Sequence, residues 1–318
     1  MKYQFCSGFA GHIKNMLEQR ALLGYSVYDC HRYLANFDRF CAANFPNETI
    51  LTQNIVFAWC NDAKGNGGAR RACEMRSFGR HLLLSGEEPY VLPPLFFVKK
   101  RPALPYICTD AELKRFFEAT DSLASCAASP LLEYTVPVIF RLQYACGMRP
   151  QEVRRLRRVD IDLENGTVYI ADGKHYRDRR LPVGGQVMEM CRKYDRIADT
   201  VLYNRTYFFQ SPMGGAYTTA WLSGTFRKCW EKGGNGAKPD KCTPYSLRHR
   251  YATETLMRWL EEGKDMDAWI PYLSAYMGHM TFSATYYYVH LLPERLACID
   301  AMSIPNIIPE VGANEEDI

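Results

Sequence analysis

No stretch of the sequence holds the roughly 20 consecutive apolar residues that a membrane-crossing helix requires, so no transmembrane helix is expected. The opening residues, MKYQFCSGFAGH, also lack the long apolar core of a secretory signal. Twelve cysteines are present, yet no two are spaced C-x-x-C, and they sit in apolar contexts such as Cys30, Cys60 and Cys146. That scatter argues against a disulfide frame or a zinc site and suggests reduced thiols in a cytoplasmic protein. The histidines, at 12, 31, 81, 175, 249, 279 and 290, form no H-x-x-x-H pair. No acidic cluster accompanies the motifs below, so neither a metal nor another cofactor is expected. Internal repeats and low-complexity tracts are lacking as well.

What is present is an ordinary globular balance, 47% apolar and 23% charged over 318 residues, long enough for two domains. The net charge of +4 is unevenly spread, because residues 304–318 carry four acidic side chains and no basic one. The body is therefore basic and the tail acidic, which permits nucleic-acid binding without proving it. Disorder is the expectation for that tail.

Helical periodicity runs through 26–45, 49–59 and 69–84. Arg76 and Arg80 lie at i,i+4 on the third of these helices, as a solvated face or as contacts to DNA. Residues 89–105 hold five prolines and the basic triplet Lys99-Lys100-Arg101, and read as a linker. Residues 1–88 are then a small helical domain. A second domain, 106–303, has helices expected over 110–119, 131–146, 186–198, 220–232, 244–260, 269–277, 283–289 and 293–302. Its strand-like part is 159–183. There Asn165-Gly166, flanked by Ile161 and Leu163 on one side and Val168 and Ile170 on the other, signals a hairpin. Asp172-Gly173 marks a further turn, and 180–183 a short strand. The fold class is mainly α with a small antiparallel β-sheet.

Three short motifs carry chemistry. In Gly147-Met148-Arg149-Pro150-Gln151-Glu152, Gly147 suits a left-handed helix cap and Pro150 the first position of a new helix. Arg149 is then the N-cap, a guanidinium beside free backbone N–H groups, which is a setting for phosphate. The arginines that follow, Arg154 among them, form either a solvated face or contacts to a nucleic-acid backbone. In Thr243-Pro244-Tyr245-Ser246-Leu247-Arg248-His249, Thr243 caps a helix and places Tyr245 and Arg248 on one face of its first turns. The third motif is Gly278-His279, followed by Thr285-Tyr286-Tyr287-Tyr288-Val289-His290. Each alone reads as ordinary helix punctuation.

Together, in this order, they resemble the tyrosine recombinase or phage integrase family over roughly residues 106–303. The family pattern is G-x-R-x-x-E, a lysine in a β-hairpin, H-x-x-R, G-H, and a tyrosine nine residues after that histidine. The resemblance assigns Arg149, Lys174, Arg248, His279 and Tyr288 to catalysis, with Glu152 in support. Tyr245 stands where the family usually has histidine, and a phenol is a poor base near neutral pH. The stretch between Arg248 and Gly278 is longer than usual, through the insertion 261–267, which is expected to form a turn or loop away from the chemistry.

The resemblance implies a two-domain architecture, a helical SAM-like core-binding domain followed by a mixed α/β catalytic domain. It implies a site-specific recombinase or integrase that cuts and rejoins double-stranded DNA through a 3′-phosphotyrosine, without metal or ATP, as a tetramer on DNA. Arg76, Arg80, Lys99, Lys100, Arg101 and Arg154 are the candidate DNA-binding residues. Two alternatives stand beside it: a DNA-binding protein of the same fold that has lost catalysis, and a type IB topoisomerase-like enzyme.

Overall fold

The computed structural model describes residues 3–64, 67–97, 104–171, 178–279 and 281–289. Lys99, Lys100, Arg101, the 172–173 turn, Lys174, the helix expected over 293–302 and the acidic tail lie outside the described residues. By its contacts the chain divides into two units, Met1–Ala103 and Leu104–Ile318. No described helix is long and apolar enough to cross a membrane.

The first unit holds α1 (Ala10–Leu22), α2 (Tyr28–Asn44), α3 (Gln53–Asn61) and α4 (Gly67–Leu84). Its core is aromatic and centred on Phe37, whose ring lies 5.3 Å from Trp59, 5.5 Å from Phe9 and 5.9 Å from Phe78. Buried Asp38 on α2 accepts from the Tyr3 hydroxyl (2.7 Å), the Cys6 N–H (2.9 Å) and the Ser7 N–H (3.0 Å), which straps the segment before α1 to the bundle. Residues 89–97, expected as linker, pack on this unit instead. Leu92 is buried in its core, and the Tyr90 N–H donates to the Leu51 carbonyl at 2.7 Å. Arg76, a candidate DNA contact, is half-exposed and lies against the segment that follows the helix. Its guanidinium donates to the carbonyls of Pro93 (3.2 Å), Pro94 (3.3 Å) and Phe96, and so clasps the proline-rich segment. Arg80, one turn on, is exposed.

The second unit opens with α5 (Asp110–Asp121). Thr109 caps it, accepting the Glu112 N–H at 3.3 Å while the Glu112 carboxylate takes the Thr109 N–H at 2.8 Å. Then follow α6 (Leu132–Ala145), α7 (Pro150–Arg154), β1 (Ile161–Asp162), β2 (Thr167–Ile170) and β3 (Arg179–Pro182). The strands form one antiparallel sheet in the order β1-β2-β3, with Ile161 opposite Val168 and Val168 opposite Leu181. Gly166 takes the positive φ of 68° that the β1–β2 turn requires. The remaining helices are α8 (Gly185–Val201), α9 (Thr219–Lys232), α10 (Pro244–Glu261), α11 (Met266–Met277) and α12 (Ser283–Val289).

The main core gathers Phe116, Phe140, Phe226 and Trp230 between α5, α6 and α9. A smaller cluster of Leu256, Trp259, Ile270, Leu273, Met277 and Tyr288 holds α10, α11 and α12 together. Gln143 on α6 donates to the Pro244 carbonyl at 2.7 Å and so fixes the start of α10. The inserted stretch behaves differently from expectation. Asp265 caps α11 by accepting the Asp267 N–H at 3.0 Å, and Asp267 accepts the Tyr286 hydroxyl at 2.7 Å. The insertion therefore touches the tyrosine run.

Candidate active site

Two glycines make the site possible. Gly147 follows α6 with φ 55°, and Gly278 ends α11 with φ 64°. A Cβ at 147 would lie 2.5 Å from the Tyr251 ring, and one at 278 would lie 2.9 Å from the Arg179 guanidinium. Only glycine fits both the backbone angle and the space.

The Gly147 turn delivers Arg149 to the N-cap of α7 in an extended conformation, φ −68° and ψ 146°, as the residue before a proline prefers. Glu152 in the first turn then accepts the Arg149 N–H at 2.8 Å and its Nη1 at 2.7 Å. The same carboxylate accepts both Nη atoms of Arg179, at 3.1 and 2.8 Å. All its lone-pair directions are thereby occupied. Burial pushes the Glu152 carboxyl up, but Arg179 and Arg149 outweigh this and hold it below the usual carboxylate range.

Arg248 comes from the second motif. Thr243 accepts the Tyr245 N–H at 3.3 Å, Pro244 begins α10, and the Arg248 side chain is wholly buried. Its Nη1 donates to the Gly147 carbonyl and its Nη2 to the Met277 carbonyl, both at 2.7 Å. The Nε has no hydrogen-bond partner among the described residues. Burial is the main reason its ionisation is weaker than normal.

The end of α11 ties the arginines together. The carbonyls of Tyr276, Met277 and Gly278 accept, in that order, Arg179 Nε (2.7 Å), Arg248 Nη2 (2.7 Å) and Arg149 Nη2 (2.6 Å). The last carbonyls of a helix lack partners within it and carry the negative end of its dipole. Here each one receives a different guanidinium.

Two histidines border this cluster. Burial, then Arg248, Arg149 and Arg179, push His279 down to about 3, and burial with Arg248 pushes His249 down to about 4. Both are neutral near pH 7. Arg248 Nη2 lies 3.0 Å from His279 Nε2 and can only donate, so the ring proton is on Nδ1 and is given to Thr285 Oγ1 at 2.7 Å. Three guanidiniums and one carboxylate thus leave these groups with a net charge of +2.

Of the three consecutive tyrosines, Tyr288 faces the arginines. It is 3% exposed, its hydroxyl is 3.1 Å from His249 Nδ1, and its ring lies parallel to that of His279 (centroids 6.1 Å apart, planes at 14°). Burial pushes its phenol up to about 12, while Arg248 pulls the other way. Tyr286 is bonded to Asp267 at the surface, and Tyr287 packs edge-on against Tyr288 at 6.0 Å. Tyr245 is 37% exposed, with its hydroxyl beside the Arg149 guanidinium and its ring 5.0 Å from that of His249.

The fold therefore brings Arg149, Glu152, Arg248, His279, Tyr288 and Tyr245 into one place. Arg154 is half-buried and donates to the Tyr217 carbonyl at 2.9 Å. A groove of about 580 Å³ adjoins Arg149 and Glu152, lined also by Arg155, Tyr169 and Tyr207. Sequence reasoning passed over Arg179 and His249. Arg179 is the first residue of β3 and reads as one more charge in a basic run. His249 is one helical turn beyond Tyr245, a spacing that could have flagged it.

Comparisons with known proteins bear on the family and the fold. The model of the phage integrase family matches residues 108–295. A putative integrase/recombinase of Sinorhizobium fredii is 26% identical over 302 residues, covering 91% of this chain and 94% of that one. Tyrosine recombinase XerD of Ralstonia nicotianae is 27% identical over 210 residues, covering 65% and 63%. Among solved structures, XerH site-specific recombinase bound to its palindromic difH substrate aligns with a TM-score of 0.65 at 17% identity, over 93% of this chain and 85% of that one. A lambda integrase dimer bound to a core site aligns at 0.62 with 14% identity, over 87% and 94%. At these identities the structures speak for the fold.

Proposed function

The chain belongs to the phage integrase family and is a tyrosine recombinase, and on that premise we propose that it cuts and rejoins double-stranded DNA at specific sites through a 3′-phosphotyrosine on Tyr288. The observation that carries this reading is the buried net charge of +2 beside a buried phenol. Such a cluster calls for an anion, and a phosphodiester supplies one.

In this reading Arg149 and Arg248 hold the non-bridging oxygens of the scissile phosphate, using N–H groups that the protein leaves unengaged, the Arg248 Nε–H among them. Glu152 and Arg179 position Arg149. His279, neutral, fixes the rotamer of Arg248 through its Nε2. Lys174 gives a proton to the leaving 5′ oxygen, which is the role the resemblance assigns to it. Positive charge for the transition state comes from the guanidiniums, so the reaction calls for no metal or ATP. The phosphotyrosine conserves the bond energy, and a second DNA end reverses the step. The groove beside Arg149 and Arg155 suits the flanking backbone. Four protomers on two sites would complete the exchange.

The test uses nicked suicide DNA built from the sequences that flank the gene. A covalent protein–DNA adduct is expected on a denaturing gel with the wild type and none with Tyr288→Phe, while both bind the DNA alike. Lack of an adduct on every cognate candidate would leave the DNA-binding alternative. Relaxation of supercoils without exchange of partners would favour a topoisomerase.

A further inference from the structure

Tyr288 must lose a proton to attack phosphorus, and its surroundings narrow the acceptor. The Glu152 carboxylate already accepts four N–H groups. His279 has both ring nitrogens engaged, and it presents its face to Tyr288, whereas imidazole lone pairs lie in the ring plane. Tyr245 offers only another phenol. The Tyr288 hydroxyl lies 3.1 Å from His249 Nδ1, the nearby nitrogen with a lone pair directed at it. His249 is held on α10 between the rings of Tyr245 and Tyr288, at 5.0 and 5.6 Å, and directly follows Arg248.

We infer that His249 is a catalytic residue, with Nδ1 taking the Tyr288 proton as the phenol attacks the scissile phosphate. This rests on the reaction proposed above. In the forward step the Tyr288 O–H bond breaks and its proton passes to Nδ1. The phenolic oxygen bonds to phosphorus, and the P–O5′ bond breaks with its electron pair on the 5′ oxygen, which takes a proton from Lys174. In the reverse step an incoming 5′ hydroxyl returns a proton to that lysine, and the departing Tyr288 oxygen recovers its own from His249.

The charges around the imidazole regulate it. The groups facing it are Arg248 and Tyr245 on α10 and Tyr288 on α12, with His279 and Arg149 just beyond. In the empty site burial, and after it Arg248, oppose a positive charge there. A phosphodiester seated on Arg248 and Arg149 adds a negative charge that offsets the repulsion from Arg248, so His249 is a stronger base with DNA in place than without it. The unoccupied enzyme keeps its nucleophile protonated.

Single-turnover adduct formation tests this on a DNA site where the wild type forms the adduct. His249→Asn places Oδ1 near the position of Nδ1, so it keeps an acceptor for the phenol but cannot carry the proton. The rate should fall by about 10²–10³-fold, with DNA affinity within about twofold of wild type. A 5′-bridging phosphorothiolate, whose sulfur leaves without an acid, should rescue Lys174→Ala but not His249→Asn. A rate within about threefold of wild type, or rescue by the phosphorothiolate, overturns the inference. If His249→Asn does not bind DNA, His249→Gln takes its place under the same criteria. A wild type that forms no adduct at all defeats the proposed function first, and this inference with it.

Discussion

Arg149 leaves a fifth of its side chain in solvent and rests on a carboxylate, whereas Arg248 has no solvent contact and rests on two carbonyls and a neutral histidine. Both sit at a proline-led helix start, Arg149 just before Pro150 and Arg248 one turn after Pro244, yet their ionisation shifts in opposite directions. Burial acts against the charge of each. At Arg149 the attraction of Glu152 outweighs it, and at Arg248 nothing does. One corner carries its counter-charge in the chain, and the other awaits it from a ligand. Stability should therefore depend most on the Glu152 corner, and binding of the transition state most on Arg248.

Arg248→Ala should separate the two corners most sharply. Single-turnover adduct formation should drop by about 10³-fold, the scale for losing a preorganised donor to a developing charge. Its melting temperature should fall less than that of a Glu152 variant, because a buried charge without a counter-ion leaves with it. Glu152→Gln should do the reverse, leaving Arg149 and Arg179 facing each other without a carboxylate. A loss of about 3–5 kcal/mol in chemical denaturation is expected. Equal destabilisation by the two variants would erase the distinction.

A third effect is one of pH. His249 and His279 are held neutral, with folded values of about 4 and 3 against an ordinary 6.5. The unfolded chain therefore binds more protons between these limits. Stability is full above about pH 6.5 and is lost as pH falls toward 4, by an amount on the order of a few kcal/mol. Denaturation midpoints at pH 7.5 and pH 5 measure it. Arg248→Ala should shrink the difference, since Arg248 contributes to both shifts.

Much of the second unit was legible because its signals are local. Asn165-Gly166 announced a hairpin, and the hairpin is there, with Ile161 opposite Val168. Thr243-Pro244 announced a helix start, and α10 begins at Pro244. Elements without local signals were missed. In α1 only Ile13 and Met16 are buried, too few to set a period. The start of α11 lies in a polar run that looks like loop, and only the Asp265 cap makes it helix. Arg76 and Arg179 read as surface charges. Their partners, the carbonyls at 93, 94 and 96 and the α11 terminus, are set by tertiary packing and leave no mark on the neighbouring sequence. Six positions of the candidate site could be named from motif order. Which of their atoms meet could not, and that is where His249 was hidden.

The last turn of α11 has a consequence for how this site can vary. Its three successive carbonyls each anchor an arginine from a different part of the chain: one from β3, one from α10 and one from the N-cap of α7. A single kinked peptide in that turn would release all three at once, so the assembly behaves as an interlock without half-set positions. Substitutions that shift this turn are filtered by every anchor together, while those confined to one arginine are judged singly. The turn, which contributes only backbone, is then the part of the site least free to drift.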